Sequence, residues 1–248
     1  MADIAMLVPD PGSPSTNLGL LISRVEGLGH TVNLFVYNTP PDDTGLLAND
    51  AVVISPLGFS EPVQDGFWDC PLPILAHGRM GHNTRTLGMA DRGDPSSGSD
   101  GATVEYDTID GTTEAAYEGL RGSYSLDTDI VVATASIGGR NLPVSDLVGD
   151  TIRIIRHAGT GNRWGVAAAE GVNIGDFTGG ALQSLIASPS NRAHYPSPDS
   201  TGDYDLLNED GWQVFVDLPL AWLDLGEGAA PPTHVRTIRQ VSQSGTLT

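Results

Sequence analysis

Short, uninterrupted runs of hydrophobic residues dominate the first third of the chain. Residues 4–8 read IAMLV and end at a Pro-Asp-Pro-Gly turn, and the segments 31–37, 51–55 and 73–76 are interpreted as three further strands. A run that is apolar at every position is typical of a parallel strand buried on both faces. The pattern therefore predicts four strands, the first of them buried on both faces.

A single clear helix is predicted between the first two strands. Thr16 or Asn17 can cap its start, and Gly27 and Gly29 can end it. Residues 38–49 are rich in Pro, Asp and Gly and are expected to hold only a short turn. This order predicts an α/β three-layer sandwich with a mostly parallel sheet and right-handed crossovers. The apolar stripe of the helix comprises Leu18, Leu21, Ile22, Val25 and Leu28.

The pattern changes to shorter β segments in the second half. Residues 91–101 are rich in Asp, Gly and Ser and predict a surface loop. A partly antiparallel, β-rich half is expected beyond it, and residues 157–162 are expected to form a hairpin loop within that half. The predicted strands are 103–108, 130–133, 151–156 and 163–169.

The best helix of the second half is predicted at residues 211–225, which carry a broad apolar stripe. Asn208 is the candidate N-cap. Pro219 is expected to kink this helix, because proline has no N–H to donate to the carbonyl of Phe215.

A linker and an extended arm are expected after this helix. The sequence GEGAAPP marks the boundary between a predicted domain at residues 1–228 and a region at residues 229–248 that comprises a Pro-containing linker and an extended arm. The arm is anchored by Val235, Ile238 and Val241 and is rich in β-branched residues. We expect it to pair with an exposed sheet edge on a neighbouring chain; a frayed terminus is the alternative.

The charge balance is strongly acidic. All 12 basic residues are Arg, there is no Lys, and 23 Asp and 8 Glu bring the formal net charge to −19. Such a chain repels nucleic acids and anionic membranes. Self-repulsion also opposes folding unless salt screens it, and the screening length falls to about 3 Å in molar salt. The composition therefore predicts adaptation to concentrated salt.

The sequence also restricts where the protein is expected to act. The single cysteine, Cys70, excludes an internal disulfide framework, and no apolar run is long enough to span a membrane. The N-terminal residues lack the pattern of a signal peptide. We expect the protein in a virion or in the cytoplasm of a halophile that accumulates salt, without export by a signal peptide.

Three segments resemble the class I glutamine amidotransferase-like fold, especially its ThuA-like and non-catalytic branches. They are the opening strand-loop-helix-strand with NDAVVISP, the segment PILAHGRMGHNTRTLGMA, and LLNEDGWQVFVDLPLAWL. The resemblance covers most of residues 3–226. It implies that the second segment holds the strand-to-helix elbow and that the third is the closing helix.

This resemblance implies a scaffold without the family's chemistry. Catalytic members carry a nucleophilic Cys two residues before a Gly-His pair, where backbone N–H groups form an oxyanion hole. The matching pair is Gly81-His82, so the nucleophile position falls on Arg79, whose guanidinium stays protonated. Cys70 lies before the strand, and a late His-Glu pair is missing. We therefore expect a protein that is not an enzyme.

Several other residues are candidates for a binding site. His77, Arg79 and His82 form a possible vestigial pocket for an anion or a metal, and the alternative is that the histidines are held by neighbouring carbonyls and carboxylates. Asp10 is expected in a plain turn and Cys70 as a small buried hydrophobic residue. The acidic loops are expected to be solvated rather than to bind Ca²⁺. No metal site and no cofactor are predicted.

Two further histidines are placed by the pattern in irregular segments. His194 and His234 are expected in a loop or tail, whereas His30 follows a helix and His157 a strand. No two histidines have the spacing of a zinc site on a helix.

The function expected first is a non-enzymatic structural protein that assembles with itself or with other protein subunits. Its most concrete form is a capsid or tail component of a haloarchaeal tailed virus, present as a homo-oligomer. A ThuA-like enzyme or binder of a sugar-like metabolite is the alternative. A regulatory subunit that binds another protein is a third hypothesis.

Overall fold

A computed structural model describes residues 1–56, 66–78, 87–91, 97–99, 101–107, 115–140, 146–158, 164–195 and 203–224. Thirteen strands and four α-helical segments lie in these ranges. The strands are β1 Asp3–Val8, β2 Thr31–Val36, β3 Ala51–Ile54, β4 Ile74–His77, β5 Ser97–Ser99, β6 Thr103–Tyr106, β7 Ile130–Val131, β8 Gly138–Arg140, β9 Ile152–His157, β10 Trp164–Ala168, β11 Asn173–Asp176, β12 Ser184–Ala187 and β13 Arg192–Tyr195. The helices are α1 Thr16–Gly27, α2 Glu118–Arg121, α3 Glu209–Trp212 and α4 Leu218–Trp222, and a π-helical turn at Gln213–Asp217 joins the last two.

A nine-stranded mixed sheet forms the centre of the molecule, in the order β2-β1-β3-β4-β13-β10-β9-β6-β7. The first five strands are parallel, and the other four continue the sheet in antiparallel pairs. This is a mixed α/β fold with a large sheet and few helices, as far as the described residues extend. The prediction of an α/β fold with a partly antiparallel second half is confirmed at this level.

Strands β1, β3 and β4 are buried on both faces, which explains their continuous apolar runs, whereas β2 lies at the sheet edge and is only partly buried. In β1, Ile4, Met6 and Val8 join one hydrophobic cluster, while Ala5 and Leu7 join a second cluster on the opposite face. Side chains alternate between the faces of a strand, so a run without polar positions is stable only where both faces are covered. The four strands predicted here are confirmed.

Helix α1 follows β1 as predicted, but the capping residue is different. Ser15, rather than Thr16 or Asn17, is the N-cap, and its Oγ accepts a hydrogen bond from the N–H of Leu18 at 3.2 Å. Gly29 follows the helix end with φ of 91°, a conformation that glycine adopts without steric cost. The predicted short turn between β2 and β3 is a 3₁₀ turn at Leu46–Ala48.

Five strands of the second half were not predicted. The most consequential is β13, which lies parallel to β4 and antiparallel to β10 and so joins the two halves of the sheet. The segment RAHY alternates polar and apolar residues, but it is only four residues long and its Arg and His are buried, which is not expected for the polar face of a strand. The expectation of a plain loop at 91–101 is also wrong in part, because β5 pairs there with β8. The remaining unpredicted strands are β11 and β12, which pair with each other as a separate ribbon.

The closing helix, residues 209–222, begins and ends slightly earlier than predicted. Asn208 is the N-cap, as expected, and its Oδ1 accepts from the N–H of Gly211 at 2.9 Å. Gly211 lies against the sheet so closely that a Cβ there would be 2.0 Å from the carbonyl oxygen of Val132. The helix packs through Val214, Phe215 and Leu220, which belong to the larger hydrophobic cluster.

The C-terminal boundary and the absence of a membrane-spanning segment are the last two predictions about the fold. The boundary between a domain at 1–228 and an arm at 229–248 lies outside the described residues, so it stays a prediction. Within the described ranges, no helix has the length and apolar character needed to cross a bilayer.

Candidate functional site

His77 is the last residue of β4, at the carboxyl edge of the parallel strands, where the sequence places the elbow. Its side chain is fully buried. The ring Nε2 lies 2.7 Å from the carbonyl oxygen of Phe215, and Nδ1 lies 2.7 Å from the hydroxyl of Tyr204. A carbonyl can only accept, so Nε2 carries the hydrogen and Nδ1 accepts from the Tyr204 hydroxyl. Both ring nitrogens are therefore engaged inside the protein.

Pro219 explains why the carbonyl of Phe215 is available to accept a hydrogen bond from His77. Proline four residues after Phe215 has no N–H for the Phe215 carbonyl, which was the predicted cause of a kink. The chain forms a π-helical turn at Gln213–Asp217, and His77 supplies a hydrogen-bond donor to that carbonyl. A buried carbonyl without a donor is costly, so this contact couples the end of β4 to the irregular part of the closing helix.

The Tyr204 hydroxyl is held in place by an aromatic cluster. The ring of Tyr204 stacks on Trp212 with centroids 5.4 Å apart. The guanidinium of Arg24 lies 5.8 Å from the Trp212 ring and bridges Asp217 and Glu209. This group attaches the closing helix to α1, so the surroundings of His77 are built as a packed joint.

Burial determines the protonation state of His77. Loss of hydration disfavours the imidazolium and lowers the pKa of His77 from 6.5 to about 4, although the bond to the Phe215 carbonyl opposes this shift. The ring is neutral at pH 7. It cannot supply a positive charge to an anion there.

His194 occupies the neighbouring strand, which corrects its predicted place in a loop or tail. It is the third residue of β13 and is buried. Its Nε2 donates to the carbonyl of Gly78 at 3.2 Å, and its Nδ1 has no hydrogen-bond partner among the described residues. Burial lowers the pKa of His194 to about 4 as well. It lies in register with Ala76 and thus faces the side of the sheet opposite to His77.

Arg192, two residues earlier on the same face, is fully buried and was not singled out by the sequence. Its Nη1 lies 3.0–3.2 Å from the carbonyl oxygens of Phe67, Trp68 and Leu87. Its Nη2 lies 3.1 Å from the carbonyl oxygen of Cys70. Burial lowers the pKa of Arg192 to about 10, so the guanidinium remains charged at pH 7. The guanidinium donates its hydrogen bonds to carbonyl groups, and the nearby carboxylate of Asp69 also favours its charged form.

Cys70 is buried, which confirms the prediction of a small hydrophobic residue. Burial raises the pKa of the thiol to about 11, and this effect exceeds the opposing influences of a hydrogen bond with the Leu72 backbone and of the Arg192 charge. The thiol is protonated at pH 7 and is a poor nucleophile. Cys70 belongs to the segment that surrounds the Arg192 guanidinium.

The other predicted site residues are only partly covered. Arg79 and His82 lie outside the described residues, as do the arm residues Val235, Ile238 and Val241, so their roles stay predictions. Asp10 forms the predicted turn, in which its carboxylate accepts from the N–H of Gly12 at 2.8 Å. The described ranges contain no cluster of three or more His, Cys, Asp or Glu side chains suited to a metal ion.

Comparison with known proteins gives no family assignment. No protein-family model matches the chain, and no curated protein shows significant similarity to it.

Proposed function

We propose that this chain is a non-enzymatic assembly protein adapted to concentrated salt, which associates with copies of itself or with other protein subunits. The observation that carries the proposal is the engagement of His77. Its two ring nitrogens bind Phe215 and Tyr204, so the side chain at the predicted elbow joins the sheet to the closing helix. The protonated, buried thiol of Cys70 supports the same reading.

The fold proposed for this function is a three-layer sandwich of amidotransferase-like topology. The parallel order β2-β1-β3-β4 and the closing helix support this resemblance. A shared fold does not carry a shared activity, so the scaffold is compatible with an assembly role.

The most concrete setting is a capsid or tail component of a haloarchaeal tailed virus. The support for it is compositional: the chain has no Lys, 31 acidic residues and polar loops. Acidic side chains keep a protein hydrated and soluble where salt screens their repulsion.

Thermal unfolding tests the salt adaptation. We expect the melting temperature to rise steadily with KCl from dilute buffer to molar salt, because screening removes the repulsion within a chain of net charge −19. For a domain of this size each kcal/mol gained raises the melting temperature by about 2–4 °C. Full stability in dilute buffer would contradict adaptation to salt.

Light scattering tests the assembly role. We expect the full chain to form a defined oligomer in molar KCl, and a chain ending at residue 228 to lose it, because residues 229–248 hold the predicted arm. Circular dichroism of both chains controls for folding. A shortened chain that keeps the same oligomer would contradict a role of the arm in assembly.

The ThuA-like alternative makes a different prediction for the same elbow. It requires a ligand to contact Arg79, which lies two residues beyond His77. A sugar-like metabolite that raises the melting temperature of the natural chain but not of Arg79→Ala would favour that alternative over an assembly protein.

A further inference from the structure

The outer edge of β2 is open to another strand. Thr31 and Tyr37 donate their N–H groups to the carbonyls of Ala2 and Val8, at 2.9 and 3.1 Å. Backbone groups alternate in direction along a strand, so the amides between them at Val32 and Leu34 point away from β1. In the described part of the chain, no strand pairs with this edge.

The two edges of the nine-stranded sheet are protected differently. At the opposite edge, β7 has only two residues, and Asn208 donates from its side chain to the carbonyl of Val131 at 2.7 Å. Short length and covered carbonyls are common protections against unwanted pairing. By contrast, β2 has six residues, TVNLFV, with no charge and no proline. An edge of this kind is a template for strand addition.

Incompletely buried apolar side chains accompany the open edge. Val32, Leu34 and Phe35 are half-buried, and Val36 is 40% exposed. A further strand beside β2 would cover part of this surface, which stabilises the paired state by about 25 cal/mol per Å² of apolar area removed from water.

The surroundings of this edge are acidic. Asp3, on β1, is in register with the first residue of β2. At the other end, the carboxylate of Asp43 and the ring of Phe35 both border Gly45. The sequence contains no Lys or Arg between residues 25 and 78. A partner strand with positive charge would therefore fit this edge.

The chain itself contains a segment with this chemistry. Residues 233–248 include Arg236 and Arg239 and no acidic residue, whereas all 31 acids lie before residue 233. The segment is rich in β-branched residues and is longer than β2. In molar salt, its arginines contribute only where they contact carboxylates directly, and main-chain hydrogen bonds and apolar burial supply the rest.

We infer that residues 233–248 of a second copy add a strand to the outer edge of β2. This inference rests on the proposed assembly role and names the two surfaces that would perform it. A contact between an arm and a distant edge is of the head-to-tail type, so it builds rings or open arrays.

The same chain could also supply the strand, and the experiment must separate the two cases. The carbonyl of Trp222, at the end of the closing helix, accepts from Asn191 beside β13. That strand lies four positions from β2 in the sheet, or about 19 Å at ~4.8 Å per strand. Residues 225–232 can span roughly 26 Å when extended, so an arm could reach β2 of its own chain.

The first test uses full-length chains with Val36→Lys at the open edge and Val131→Lys at the opposite edge as a matched control. Both valines are exposed, at 40% and 56%. We expect Val36→Lys to raise the dissociation constant of the oligomer at least about tenfold, measured by light scattering in molar KCl, and Val131→Lys to leave it unchanged. Circular dichroism verifies that both variants fold.

The second test mixes two full-length variants. Val36→Lys keeps the arm and loses the edge, while a chain with Val235→Asp and Ile238→Asp keeps the edge and loses the arm. We expect each to be monomeric alone and the mixture to form a heterodimer, because one chain then offers an arm and the other an edge.

Each outcome has one meaning. If Val36→Lys stays oligomeric, the edge assignment is wrong while the assembly role survives. If the mixture stays monomeric, the arm belongs to its own chain and the inference fails. A natural chain that is monomeric at every salt concentration would refute the proposed function as well.

Discussion

Replacing Arg192 with methionine is expected to lower the free energy of unfolding by about 3 kcal/mol or more. The guanidinium donates to the carbonyls of Trp68, Cys70 and Leu87, which stay buried when the side chain is removed. A buried acceptor left without a donor costs about 1–3 kcal/mol. Removing the buried charge also removes its desolvation cost, which offsets part of this loss. Several carbonyl acceptors lose their donor together, however, so the net effect stays destabilising.

Two further variants separate the hydrogen bonds of Arg192 from its charge. Arg192→Lys keeps a positive charge with three donors, so we expect about half of the loss. Arg153→Met is the control. That guanidinium is partly exposed, and its distance of 4.0 Å to the Asp107 carboxylate is at the limit of an ion pair. Its loss should stay below about 1 kcal/mol. Urea denaturation at constant KCl measures all three, and equal losses at positions 192 and 153 would show that the buried network contributes nothing special.

The second large effect is a loss of stability on mild acidification. His77 and His194 each have a pKa of about 4 in the folded protein, against 6.5 for an ordinary histidine. Between these values the unfolded chain binds protons that the folded protein does not, so stability is full above about pH 6.5 and declines as the pH falls toward 4. Each histidine is expected to account for about 3 kcal/mol across this window.

Single His→Gln variants test this assignment. Glutamine removes the titration, so His77→Gln and His194→Gln should each show a shallower decline of unfolding free energy between pH 6.5 and 4.5. His30→Gln is the matched control at a partly exposed position, and it should change the slope much less. Titrating carboxylates affect all variants alike, so the differences isolate the histidines. Identical slopes in every variant would contradict a role for the two buried rings.

The first half of the fold could be predicted because its signals are local. The runs at 4–8 and 51–54 are apolar at every position, which is the pattern of a strand covered on both faces. The cap at Asn208 and the missing donor at Pro219 follow from single residues whose backbone chemistry does not depend on distant contacts.

The candidate site could be predicted only in part. His77 was selected because it ends a parallel strand, and it does lie at that edge of the sheet. Its hydrogen bonds to Phe215 and Tyr204 join residues more than 120 positions apart, and no local pattern encodes such a pair. The sequence therefore indicated the position of His77, and its partners show how the ring is used.

The sequence by itself determined the parallel β1–β4 core, α1, the capped closing helix and the acidic, lysine-free surface. Only the tertiary structure decided that the polar segment Arg192–Tyr195 is a central strand, because its neighbours supply both the pairing and the burial. The same holds for Arg192, whose charge is tolerated where the carbonyl groups of the 67–70 turn and of Leu87 converge. Periodicity describes how one segment meets an apolar core, whereas convergence of polar groups depends on chain topology.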